Sequence, residues 1–244
     1  MSAVATINRA EIVQKAREAP VARFRMIGAV LAIAGAAVLI GGLLTGHAAQ
    51  VWHAYHFNFL FFTATAQALV IFAASQKLAK AHWAGVIIRF AEAAVGFLVL
   101  ALVLYLGLII GREYLFKNLP VDRPGVGFWF GGTFLFVRNW LLLALMAWLS
   151  WRFVRRDMAP DVAELTTGVP ATDDVTSKGL VSKDAAILIV TWAFAYSMLG
   201  FDFIMSLAPR WISNLFGAFF FMGSFLTALM SLSVLLHWLR GAMK

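Results

Sequence analysis

Apolar residues in this chain do not alternate with polar ones, and they do not recur on one face of otherwise polar helices. They run in long blocks. Six stretches are long and apolar enough to be candidate membrane spans: Met26–Leu44, Val51–Ala74, Val86–Ile110, Phe128–Leu149, Ala185–Ala208 and Trp211–Leu236. A hydrocarbon core about 30 Å thick takes roughly 20 helical residues to cross, at a rise of 1.5 Å each. Backbone facing lipid must satisfy its own hydrogen bonds, so each block reads as a helix. None shows the polar–apolar alternation of a transmembrane β-strand. The predicted fold is an all-α integral membrane protein with six transmembrane helices.

The segments between the blocks define the expected organisation. Residues 1–25 form a basic N-terminal segment, in which Ile7–Ala19 reads as an amphipathic surface helix ending before Pro20. The first apolar run is longer than a signal-peptide core and is read as a span. Residues 26–151 form a four-helix unit and 184–244 a two-helix unit. Between them, 152–183 is polar and mixed in charge, with Pro160, Pro170 and Thr172-Asp173-Asp174. It reads as a flexible connector. Gly28, Gly35, Gly41 and Gly42 in the first span let a neighbouring helix approach closely.

Composition strengthens this picture and excludes a soluble domain. Of 244 residues, 62% are hydrophobic and 13% charged, and the mean hydropathy is +0.83. A soluble surface takes about a quarter charged residues. Cysteine is absent, which removes disulfides, thiolate metal sites and covalent haem attachment. The net charge of +8 could indicate nucleic acid, but its placement argues otherwise. Of 20 Lys and Arg residues, 14 fall in the N-terminal segment, the second and fourth loops and the C-terminus. The opposite side holds only Arg112, Lys117, Arg123 and Arg210. Basic loops stay in the cytoplasm, so both termini are expected there and no nucleic-acid partner is needed. Trp52, Trp129, Trp151, Trp211 and Trp238 mark span ends, where tryptophan anchors at the interface.

Charges inside the blocks are costly and therefore candidate functional groups. Arg89 and Glu92 share one face of the third span, with Glu92 roughly 10 Å in from its cytoplasmic end. Arg138 lies in the fourth span. Glu92 is expected to answer either Arg138 or Arg89. Such a group either pins helices together or makes Glu92 a protonatable site reached from the cytoplasm. Near the other surface lie His47, His53, His56, Asp202, Ser206 and Arg210. His53 and His56, at i and i+3, have a spacing able to ligate a metal or haem, but no second histidine pair faces them and no metal is expected. A polar mouth to a proton or quinone path and ordinary interfacial anchoring of each histidine are the alternatives. The chain has no Walker loop, dinucleotide fingerprint, Ser–His–Asp pattern or zinc spacing.

Four segments carry a family resemblance. Phe201-Asp202-Phe203-Ile204-Met205-Ser206-Leu207-Ala208-Pro209-Arg210-Trp211, then Ser213, Phe216 and Gly217, resembles the motif FDWxMSLxPxWxSTxxG. Trp52 to Phe62 with Gln67 resembles WxxYxxNFLFFxxxAQ, Arg89 to Glu92 in IIRFAEA resembles RRxxEA, and Phe134 to Arg138 resembles FFLxR. These are motifs of the NrfD-like membrane subunits of alternative complex III, a quinol-oxidising respiratory assembly, and the ActF type is the nearest in pattern. The resemblance implies a subunit of the bacterial cytoplasmic membrane without its own redox centre. It would lie close to quinone or quinol and phospholipid, and its partners would be another NrfD-like subunit and chains carrying iron–sulfur clusters and haem c. Carried over residue by residue, it points to Arg89, Glu92, Arg138, Asp202 and Ser206. The motif tryptophan is Phe203 here and the motif tyrosine is Ile212. Relatives also continue with further helices, so a separate chain supplying them, or a shortened pathway, is expected.

Two other functions fit a bundle of this kind. A small secondary transporter would carry broken helices and an inverted repeat, and a structural subunit would only anchor partners.

Overall fold

The computed structural model describes residues 21–81, 85–117, 119, 127–167, 175–208 and 210–239. The expected surface helix at 7–19 lies outside these residues. The described residues are helical, without strands: α1 (Val21–Leu44), α2 (Ala48–Leu78), α3 (Gly85–Glu92), α4 (Val95–Ile110), α5 (Arg112–Leu115), α6 (Gly127–Phe130), α7 (Gly132–Thr167), α8 (Val175–Phe203), a 3-10 turn at Met205–Leu207, and α9 (Phe216–Leu239). Six spans are long and apolar enough to cross a membrane: Arg25–Leu44, Ala48–Leu78, Ile87–Ile110, Gly132–Glu164, Lys178–Leu207 and Phe216–Trp238. The chain is a multi-pass membrane protein by the length and composition of these helices.

α2 is the axis of the bundle. It packs against α4, α8 and α9 and touches α3, α5 and α7. Its buried set runs through Phe59, Leu60, Ala64, Ala68, Ile71 and Phe72, apolar on nearly every side, as a helix surrounded by other helices must be. α1 rests on α2 alone among its substantial contacts, and its side chains are largely exposed. Exposed apolar residues such as Val99, Val190, Phe194 and Phe219 then face hydrocarbon rather than water. Two glycines set the fit of α4 to α2. A Cβ at Gly107 would strike the ring of Tyr55, and one at Gly111 the indole of Trp52. With both positions bare, Tyr55 Oη donates to the Leu104 carbonyl at 2.5 Å.

The structure departs from the expected elements in four places. The third span is broken after Glu92: Ala93 and Ala94 form a turn, and Ala94, Gly96 and Phe97 donate to carbonyls three residues back. The connector at 152–183 is mostly helix, because α7 runs 36 residues, or roughly 54 Å, through Pro160 to Thr167. Its polar sequence conceals a buried stripe of Ser150, Phe153, Val154 and Asp157, which keeps it packed beyond the apolar block. The last helix begins at Phe216, not Trp211, after the irregular stretch that follows the 3-10 turn. Finally, among the described residues the last two long helices share their core with the earlier ones. α8 packs on both α7 and α2, and α9 on α2 and α8, in one continuous core.

Adding a methyl at Gly111 forces the Trp52 indole aside, so Gly111→Ala is expected to cost about 1–3 kcal/mol of stability. At Gly35 a Cβ meets nothing within 4 Å. Gly35→Ala should therefore leave the thermal midpoint in detergent unchanged while Gly111→Ala lowers it.

Candidate functional site: two buried ion clusters

Ionisable side chains gather at the two ends of the bundle. The basic end carries Lys77 at the close of α2 and Arg152, Arg155 and Arg156 on α7. The far end carries the starts of α2 and α7 and the close of α8.

At the far end the centre is Asp202, in the last turn of α8 and fully buried. Its Oδ2 accepts from Arg138 Nη2 at 2.6 Å and from Asn139 Nδ2 at 2.7 Å, and its Oδ1 accepts from Trp129 Nε1 at 3.2 Å. Arg138 and Asn139 lie in the second turn of α7, and Trp129 on the short helix α6 that precedes it. The guanidinium lies 3.7 Å from the centre of the Trp129 ring and 4.8 Å from that of Phe134, and it also donates to the Trp129 carbonyl. Aromatic faces and a carboxylate together replace the water this cation would otherwise need. Ser206, one turn beyond, donates its hydroxyl to the backbone carbonyl of Asp202 and not to the carboxylate.

His56 lies beside this cluster without joining it. Its ring meets Phe116 and Phe203 edge-on, at 5.7 and 6.2 Å between centres, and its Nε2 has no partner among the described residues. His53, one turn away, is exposed, so the two histidines do not converge on a ligand. His47 sits by Thr45, and Arg210 is exposed. Among the described residues no three His, Cys, Asp or Glu side chains come together as a metal site.

The basic end holds the second cluster. Arg89 Nη1 donates to Glu92 Oε2 at 2.6 Å and to Asp157 Oδ2 at 2.7 Å, while Nη2 reaches Asp161 Oδ2 at 2.7 Å. Lys77 Nζ meets Asp157 Oδ1 at 2.9 Å. One guanidinium thus ties α3 to α7, and Lys77 brings in α2. Glu92 is almost fully buried, and its Oε1 has no partner among the described residues. Among the described residues these contacts set two cations, Arg89 and Lys77, against three carboxylates. Beside it, Asp184 of α8 holds Arg152 Nη2 and Arg156 Nη1, each at 2.6 Å.

Of the two partners expected for Glu92, the structure selects Arg89. Arg138 lies at the opposite end and is answered by Asp202. Asp157, Asp161, Asn139 and Asp184 are the members that the sequence reading did not single out. Asp157 and Asp161 fall in the polar stretch 152–183, where charges pass as solvated. The buried spacing 146, 150, 153, 157 along α7 is the signal that places Asp157 inside.

No protein-family model matches the sequence, and no curated protein matches it either. What the clusters do therefore follows from their own chemistry. Arg89→Met strands Glu92 in a buried position and leaves Asp157 to Lys77 alone, and a broken buried pair costs about 3–5 kcal/mol. The Asp161 side chain is 56% exposed, so Asp161→Asn is expected to cost no more than about 1 kcal/mol. Chemical unfolding in bicelles distinguishes the two. Equal losses from both variants would show that the buried part of the cluster has no special weight.

Proposed function

We propose that the chain is a membrane subunit of a quinol-oxidising electron-transfer complex in a bacterial cytoplasmic membrane. In this reading it has no redox centre of its own. It borders a quinone site or a proton path, beside an NrfD-like subunit and subunits that carry iron–sulfur clusters and haem c. The observation that carries the reading is the Arg138–Asp202 contact. It joins the segment 134–138 to the motif 201–217, two stretches that resemble the same family on separate helices. The other resembling segments supply Arg89 and Glu92 to the opposite cluster and Gln67 to the core between the two. Carboxylates held at both ends of one bundle are the groups that a proton path takes up and releases through, which suits quinol oxidation, where electrons and protons part company.

By the distribution of Lys and Arg, the basic end lies in the cytoplasm with both termini. The chain has no native cysteine, so single-cysteine variants report orientation cleanly. An impermeant maleimide applied to whole cells should label His47→Cys, and should label Lys183→Cys only after permeabilisation. The reverse pattern would invert the topology.

The functional test uses the assembled complex. The chain is expected to co-purify with iron–sulfur and cytochrome subunits, and Glu92→Gln and Asp202→Asn should each lower quinol turnover or the associated proton release. Unchanged turnover and release in both variants would leave only an anchoring role. The break at Ala93–Ala94 beside Glu92 favours a second reading, a small secondary transporter, since transporters build sites at interrupted helices. Solute uptake by the purified chain alone in liposomes would decide for that reading.

A further inference from the structure

The outward side of α7 changes character along its length in the order that a phospholipid does. Leu141, Leu145, Trp148, Arg152 and Arg155 follow at intervals of four, three, four and three residues, which keeps them on one stripe of a helix. Trp151 stands beside that stripe. Both leucines, both tryptophans and Arg155 are exposed, while Ser150, Phe153 and Asp157 on the opposite face are buried. Counted from Gly132, Trp148 lies roughly 24 Å along the helix and Arg155 roughly 34 Å. The span begins at Gly132, so a hydrocarbon core about 30 Å thick ends between these two residues. The tryptophans stand at the edge of the acyl region and the arginines at the level of the headgroups.

Each arginine is held against a ring. Arg152 Cζ is 5.4 Å from the centre of the Trp148 ring, and Arg155 Cζ is 5.1 Å from that of Trp151. Arg152 is also fixed from α8, since its Nε and Nη2 donate to the two oxygens of Asp184, at 3.3 and 2.6 Å. Its Nη1 has no hydrogen-bond partner among the described residues, and its side chain is only half-buried. Asp184 also receives Arg156, and no carboxylate among the described residues meets Arg155. Three arginines are thus answered by one carboxylate. Positions 152 and 155 are neighbours on the helix surface, so one anionic group is within reach of both. Guanidinium donors match the oxygens of a phosphate, and side chains already ordered lose less freedom when they bind one.

We propose that this stripe binds an anionic phospholipid in the leaflet at the basic end of the bundle. Arg152 and Arg155 donate to its phosphate, Trp148 and Trp151 pack against its glycerol region, and an acyl chain runs along Leu145 and Leu141. The uncompensated positive charge repels the ammonium of a zwitterionic headgroup, which favours phosphatidylglycerol over phosphatidylcholine. An acidic soluble protein would meet the arginines but not the leucines and tryptophans of the same stripe, which lie within the bilayer. The site rests on the chain's crossing the membrane and not on its respiratory role.

Native mass spectrometry of the full-length chain in detergent, with the two lipids supplied in equal amounts, reads the preference directly. The wild type is expected to retain phosphatidylglycerol over phosphatidylcholine. Arg155 is exposed and holds no buried carboxylate, so Arg155→Gln leaves the fold intact, and its affinity for phosphatidylglycerol should fall about fivefold. Lys80→Gln removes the same charge from an exposed position one turn beyond Lys77, which pairs with Asp157 on the other face of α7. That variant should bind as the wild type does. Equal retention of both lipids by the wild type overturns the proposal. An equal loss in the two variants does so as well, since it shows diffuse attraction to a basic surface. An Arg155→Gln chain that keeps its lipid preference but loses partner subunits from the assembled complex also overturns it, and assigns the stripe to an acidic protein surface.

Discussion

A charge inside hydrocarbon has to be answered by another charge, and in this bundle that requirement sets how the helices meet. Asp202 closes α8 and Arg138 opens α7, so their 2.6 Å contact pins the far ends of two antiparallel helices together. Arg152 and Arg156 on Asp184 do the same nearer the basic end. With both pins in place the register of α7 against α8 cannot slip by a turn without exposing charge to lipid. The remaining packing follows from this frame. Tyr196 finds the Thr63 carbonyl, Gln67 finds Ser150, and Phe203 joins the aromatic group of Tyr105, Phe116 and Phe136.

The two clusters differ in kind. At the far end, one carboxylate receives one guanidinium and two further donors, and the charges balance. At the basic end, Arg89 is divided among three carboxylates, Lys77 helps one of them, and Glu92 keeps an unpartnered oxygen. The Asp202 carboxylate has both oxygens met, although Arg138 Nε and Asn139 Oδ1 keep no partner among the described residues, and a charge-balanced pair of this kind is suited to holding a structure. An unbalanced cluster next to a helix break is suited to changing its charge or its shape.

Much of this was legible in the sequence, and what was missed has physical causes. The six spans were visible because a hydrocarbon slab demands long apolar runs whatever the helices pack against. The connector was misleading because α7 leaves the apolar block and stays helical. Its buried face there is short, and the pairs that fix it to α8 and α3 come from residues distant in sequence. Its continuation through Pro160 was hidden for the same reason. The separation of Arg138 from Glu92 was available in principle. One lies early in a span leaving the far end, the other early in a span leaving the basic end, so no common height exists for them. The break after Glu92 gave no such signal, since Ala93 and Ala94 are ordinary helix formers and only the packing around them shows the turn.

The central claim is that paired charges inside the bundle hold its register, and a double-mutant cycle on Arg138 and Asp202 tests it most directly. Unfolding is measured for the wild type, Arg138→Met, Asp202→Leu and the double variant in the same bicelles. Two severe single losses of about 3–5 kcal/mol each are expected, with a double variant far more stable than their sum, because neither charge is then left alone. Additive losses would contradict it, showing that the two side chains are costly independently and that their contact organises nothing.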